Sequence, residues 1–202
     1  TYMSSYLHML LINAFSDREL KAVLDELFLD DTVDIIEEMP ANVVSRILKT
    51  TDPAKRKQIN ELLNYPEDSA GSIMTTEFVY FRRDDTVKEA FERIRSVGVV
   101  KETVYTCYVT DCRRLVGRVS LLDLVVADEN AIIEDIMDCT VVSVGTHDDQ
   151  EVVANLFSKH DLASLPVVDA ENRIVGIITF DDAMDVIREE SNEDMAMMRS
   201  EE

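Results

Sequence analysis

The chain has 202 residues, 46% of them apolar, enough for one large or two small packed domains and too much for a disordered chain. Its 20 Lys and Arg against 41 Asp and Glu leave a net charge of −21. That field repels phosphate backbones and anionic lipid surfaces, so it argues against nucleic-acid binding and polybasic membrane docking and makes cations or a basic partner the natural counterparts.

Residues 1–16 carry no formal charge, but Ser4, Ser5, His8, Asn13 and Ser16 interrupt the run. It falls short of the roughly 20 apolar residues of a membrane span and lacks the basic start of a signal peptide. Opening at Thr1 and closing in an acidic run at Glu202, the chain reads as an excised fragment. Up to about residue 70 the spacing predicts short helices, with Leu20, Val23, Leu24, Leu27 and Phe28 on one face. Ser16 and Glu19 form a predicted capping box, Asp52-Pro53 an N-cap with a first-turn proline, and Pro40 a helix break. Such helical pairs stack into an all-α bundle or small superhelix.

After Gly71, β-branched runs at Glu77 to Phe81, Thr103 to Thr110, Val141 to Val144 and Ile174 to Thr179 alternate with helical segments. This half repeats itself with a period of about sixty residues. Ile73-Met74 recurs as Ile136-Met137, Asp84-Asp85 as Asp148-Asp149, and Leu115 to Asp123 aligns without a gap on Ile174 to Asp182. Each copy is expected to be a small α/β unit with one uncovered sheet face, so the two copies must pack together. Gly117 and Gly176 stand inside strand patterns, where glycine marks a close approach, either of the opposite sheet or of a ligand. Ser120 and Thr179, each three residues before Asp123 or Asp182, suit either a ribose or phosphate near a helix start or, as the favoured reading, an ordinary N-cap.

Cys107, Cys112 and Cys139 cannot all pair internally, lack C-x-x-C spacing, and are read as reduced thiols. His8, His147 and His160 lie in unrelated segments without a nucleophile at triad spacing, so no catalytic residue and no enzymatic activity are expected. From Asp181 to Glu202 there are nine carboxylates and two basic residues, with Asp182, Asp185 and Glu189 at spacings that share a helix face. Such a run is commonly a solvated face, but oxygen donors without Cys or His also suit a hard cation.

The tandem h-V-G-x-h-[ST]-h-x-D pattern resembles a pair of CBS motifs, which together form a Bateman module. With the linker Tyr65-Pro66-Glu67-Asp68-Ser69-Ala70-Gly71-Ser72-Ile73-Met74-Thr75, the preceding helices and the acidic tail, nearly the whole chain is similar to the cytosolic part of the MgtE family of magnesium transporters. The resemblance implies an α+β chain. A truncated helical N domain over 1–71 is followed by CBS repeats over 72–130 and 131–186, then an acidic connecting helix over 187–202 towards a transmembrane domain that is absent here. It implies a homodimer through the CBS domains, at the cytoplasmic face of the membrane, that senses intracellular Mg2+, the ion also transported, and closes the pore when it is plentiful. By the same resemblance the metal-facing groups are Asp149, Glu151 and Asp161 with the Ser158 carbonyl, then Asp182, Asp185, Glu190, Glu193 and Asp194, and in the helical domain Asp30 and Asp34 rather than Asp31. Where the family commonly shows Glu-Ala-Thr-Glu-Asp, this chain has Glu190-Ser191-Asn192-Glu193-Asp194, which keeps the carboxylates. CBS pairs also often bind adenine nucleotides. ATP is therefore the alternative ligand, with Thr179 and Asp182 holding its ribose.

Overall fold

The structure is a computed structural model that describes residues 14–37, 39–97 and 101–188. Two compact units divide it, residues 1–65 and 66–202. The described part of the first contains α1 (Asp17–Glu26), α2 (Leu29–Glu37), α3 (Ala41–Thr50) and α4 (Pro53–Leu62). The expected caps form. Ser16 N and Oγ donate to Glu19 at 2.9 and 2.7 Å, and the Asp52 carboxylate accepts from Ala54 N at 2.8 Å. These bonds satisfy amides that a helix start leaves without partners, and they hold the Glu19 carboxyl below its ordinary range. At the other end of α1, Lys55 Nζ donates to the carbonyls of Leu24 and Leu27 at 2.7 and 2.6 Å, where a cation complements the helix terminus. Helices pack alternately, α1 on α3 and α2 on α4, and bury Leu20, Leu24, Leu29, Val33, Ile36, Val43, Ile47, Ile59 and Leu62.

The second unit is built twice. In the first copy, β1 (Phe78–Arg82), α5 (Val87–Val97), β2 (Thr103–Asp111), β3 (Arg114–Ser120) and α6 (Leu121–Val126) follow one another, and the short α7 (Ile133–Ile136) leads to the second copy. That copy contains β4 (Val144–Gly145), α8 (Gln150–His160), β5 (Ser164–Val168), β6 (Ile174–Thr179) and a helix α9 over residues 180–188. The sheets have order β1-β2-β3 and β4-β5-β6, each with a parallel first pair and an antiparallel second pair. Even the register irregularity recurs, between Val109 and Thr110 and between Val167 and Val168. The expected strand over Val141 to Val144 is realised only as Val144–Gly145. The preceding residues are engaged elsewhere: Asp138 exchanges backbone bonds with Arg118, and its side chain accepts from Thr140 N.

Glycine explains how the copies interlock. A Cβ on Gly117 would lie 2.7 Å from Met137 Sδ, and one on Gly176 would lie 2.6 Å from Met74 Sδ and 2.8 Å from the Thr75 carbonyl. What approaches each glycine is therefore neither the opposite sheet nor a ligand but the repeated Ile-Met segment of the chain itself. The segment before the first repeat docks on the second: Thr75 and Ile177 exchange backbone bonds of 2.8 and 2.9 Å. Ala70 N and Gly71 N donate to Asp148 O and Thr146 O, and Gln150 N donates to Asp68 O. Residues 66–71, which sequence spacing assigns to the end of the helical region, are thus hydrogen-bonded into the second unit.

Tyr108, fully buried, joins the two sheets. It packs with Leu115 and Ile177, and its hydroxyl bonds Ser164 Oγ at 2.7 Å. Burial pushes its phenol up to about 12, so it stays neutral. Tyr108→Phe leaves Ser164 buried without that partner and is expected to cost about 1–3 kcal/mol in chemical unfolding. Adding Ser164→Ala should recover part of the loss, because both polar ends are then gone.

Candidate functional site

Asp30 and Asp34 lie one turn apart on α2, Asp30 half-buried and Asp34 exposed, with Asp31 exposed between them. In the second CBS repeat, Asp149 is the N-cap of α8, its carboxylate accepting from Glu151 N at 2.8 Å, and Glu151 occupies the first turn. Asp161 ends the same helix in a left-handed conformation, φ 48° and ψ 47°. All three acids are exposed. At 1.5 Å per residue, the twelve steps from Asp149 to Asp161 span about 18 Å, so one ion cannot touch both. The Ser158 carbonyl belongs to the last turn of α8, whose final carbonyls have no partner within the helix, and it lies at the Asp161 end.

Thr179 and Asp182 are brought together, by each other. Thr179 N and Oγ1 donate to Asp182 Oδ2 at 3.1 and 2.5 Å, and Asp182 N approaches Thr179 Oγ1 at 3.5 Å. Ser120 and Asp123 repeat this capping box at the start of α6, with bonds of 3.1, 2.6 and 3.1 Å. The favoured reading of these hydroxyls as N-caps therefore describes the geometry. Asp185, exposed one turn beyond Asp182, pairs with Arg188 at 2.8 Å. Glu190, Glu193 and Asp194 lie outside the described residues, as does most of the expected connecting helix over 187–202.

Among the described residues no three His, Cys, Asp or Glu side chains converge as a metal-binding group. The candidate acids stand instead singly or in pairs close in sequence. The thiols offer no rival site: Cys107 is buried and its thiol is pushed up to about 12 by that burial, while Cys112 and Cys139 are exposed and unpaired with one another. Sequence reading passed over a second charged feature, the arginines Arg82, Arg83 and Arg113. Their signal is internal: the aligned second repeat has Thr146 and His147 where the first has Arg82 and Arg83.

Comparison with known proteins places this architecture. The family model of the MgtE intracellular N domain matches residues 1–68, and that of the CBS domain matches 70–130 and 133–189. The magnesium transporter MgtE of Thermus thermophilus is 42% identical over 172 residues, covering 83% of this chain and 38% of that protein. A crystal structure of the soluble part of a magnesium transporter superposes with a TM-score of 0.85 at 35% identity, over 89% of this chain and 70% of that one. A cytosolic domain of the Mg2+ channel MgtE, crystallised in complex with ATP, gives 0.80 at 39% identity, over 87% and 77%. None of these three is an enzyme. The chain spans less than half the length of the curated relatives it matches, 38% and 42% for two of them. No described helix is long and apolar enough to cross a membrane. The chain belongs to the MgtE family and carries its intracellular N domain followed by its pair of CBS domains.

Proposed function

We propose that this chain is the magnesium-sensing, pore-gating part of a magnesium transporter that works as a homodimer through its CBS domains at the cytoplasmic face of the membrane. Mg2+ bridges acidic faces of the N and CBS domains and favours a compact, closed state; its loss separates them and opens the pore. Asp30 and Asp34 serve the N domain, Asp149, Glu151, Asp161 and the Ser158 carbonyl the second CBS repeat, and Asp182, Asp185, Glu190, Glu193 and Asp194 the segment that follows. The observation that carries this reading is the dispersal of exposed carboxylates over the second repeat of a chain with net charge −21. Like charges keep such surfaces apart until a divalent ion offsets them.

The energetics suit a switch. If four ions bound only the compact state, each at tenfold over its dissociation constant, linkage would supply about 1.4 kcal/mol per ion and about 5.6 in all. That is enough to invert a 1:99 equilibrium. Millimolar Mg2+, without nucleotide, is therefore expected to contract the chain in small-angle scattering and protect it from protease, and chelation should reverse both. An unchanged radius between chelated and saturated samples would discard the proposal. ATP is a second candidate ligand, supported by the similarity to the ATP-bound cytosolic domain. In this chain its ribose would have to share Asp182 with the α9 cap, and protection by ATP alone in the same titration would favour that reading instead.

A further inference from the structure

The first CBS repeat contains a cavity that neither metal nor nucleotide reading uses. It opens where the end of β1, the β2–β3 hairpin and α7 meet, and has a volume of about 530 Å3, within the range of small-molecule sites. Arg82, Arg83, Arg113, Asp84, Asp111 and Glu134 line it. The two kinds of charge are arranged unequally. Arg83 is clamped between Asp111, at 3.1 Å, and Glu134, which together raise its pKa. Arg82 pairs with Asp84 at 3.2 Å. Arg113 makes no ion pair with a described residue, although the chain has 41 carboxylates.

Nothing in the scaffold demands this composition. The second repeat builds the same fold with Thr146 and His147 at the positions of Arg82 and Arg83, and with Gly71 at that of Glu134. The hairpin itself places Cys112 and Arg113 at φ 49° and 70°, where Asn-Gly would be the least strained pair. Three guanidinium groups at one mouth match the tetrahedral oxygens of a phosphate, which planar forks bind in pairs. The carboxylates beside them accept hydrogen bonds only, so a bare anion is repelled there while a ligand that also carries hydroxyl groups is complementary. The field of the whole chain is screened within about 8 Å at physiological salt, leaving the local arginines dominant.

We propose that this cavity binds a small phosphorylated polyol of sugar-phosphate size, with its phosphate on Arg113 and Arg82 and its hydroxyl groups on Asp84 and Asp111. The site is distinct from the acids assigned to Mg2+ and does not depend on that assignment. Cys112 lines the cavity and provides the readout. Cys139 is the exposed control, and buried Cys107 should stay unlabelled.

The full chain, kept in chelator, is alkylated with iodoacetamide, and the two exposed cysteines are followed by mass spectrometry with ribose 5-phosphate, inorganic phosphate or ribose added. Ribose 5-phosphate is expected to slow labelling of Cys112 but not of Cys139, inorganic phosphate to act more weakly, and ribose not to act. Arg113→Gln and Arg82→Gln should each raise the half-protecting concentration about tenfold. Equal labelling of Cys112 with and without ribose 5-phosphate would overturn the proposal, as would protection that survives in both variants.

Discussion

Gly176→Val is expected to destabilise the second unit by about 3 kcal/mol, the upper end for overpacking a filled site, and to lower its melting temperature by roughly 10 °C. The new Cβ would meet two neighbours, and they differ in how far they can yield. Met74 Sδ, 2.6 Å away, sits near the end of a flexible side chain. The Thr75 carbonyl, 2.8 Å away, is backbone and accepts from Ile177 N at 2.9 Å while Thr75 N donates to Ile177 O at 2.8 Å. Relieving the clash therefore breaks the pair of bonds that seats the segment. Gly117→Val is expected to cost clearly less, because its closest neighbour is the mobile Met137 thioether and its nearest backbone atom, Asp138 O, is 3.2 Å away. Thermal unfolding of the two variants side by side checks the order, and a larger loss at Gly117 would contradict it.

In the magnesium titration, Asp149→Asn and Asp161→Asn are expected to act independently. Each should remove about 1.4 kcal/mol of linkage if the ion it holds stands tenfold over its dissociation constant, and the double variant should lose the sum. The reason is the length of α8, whose ends lie too far apart for a shared ion. Asn is the informative replacement at position 149 because its side-chain oxygen can still cap the helix while the charge is lost. The protease-protection midpoint measures both. A double variant no worse than either single one would mean a common ion, and the assignment of two separate sites would fail.

Much of the architecture was legible because its causes are local. The capping box at Ser16, the proline start at Pro53 and the strand-helix alternation each depend on residues a few positions apart, and the repeat appears by aligning the chain with itself. What eluded the sequence depends on distance along the chain. Gly117 and Gly176 announced a close approach, but the partner of Gly176 is Met74, about a hundred residues away, and no periodicity names it. Val141 and Val142 have strand composition, yet they fall in the crossing between repeats where Asp138 is bonded to Arg118, so only Val144 and Gly145 pair.

The candidate site was legible in one part only. The hydroxyl–acid pairs of Thr179 and Ser120 are local and could be weighed as caps from spacing alone. The acids of α8 came from family resemblance, and spacing along one helix already separates Asp149 from Asp161. The arginine-lined cavity gathers Arg82, Arg113 and Glu134 from a strand end, a hairpin and a later helix, and no linear motif joins them.

The crossed docking of Met74 on Gly176 also sets an order of events during synthesis. Elongation runs at about 5–20 residues per second, so the stretch from Met74 to Gly176 takes on the order of 5–20 s to be made. The whole first repeat is made within that interval, and until Gly176 emerges the segment around Met74 still lacks its seat. The segment around Met74 is thus seated only after the closing strand of the second repeat has been made.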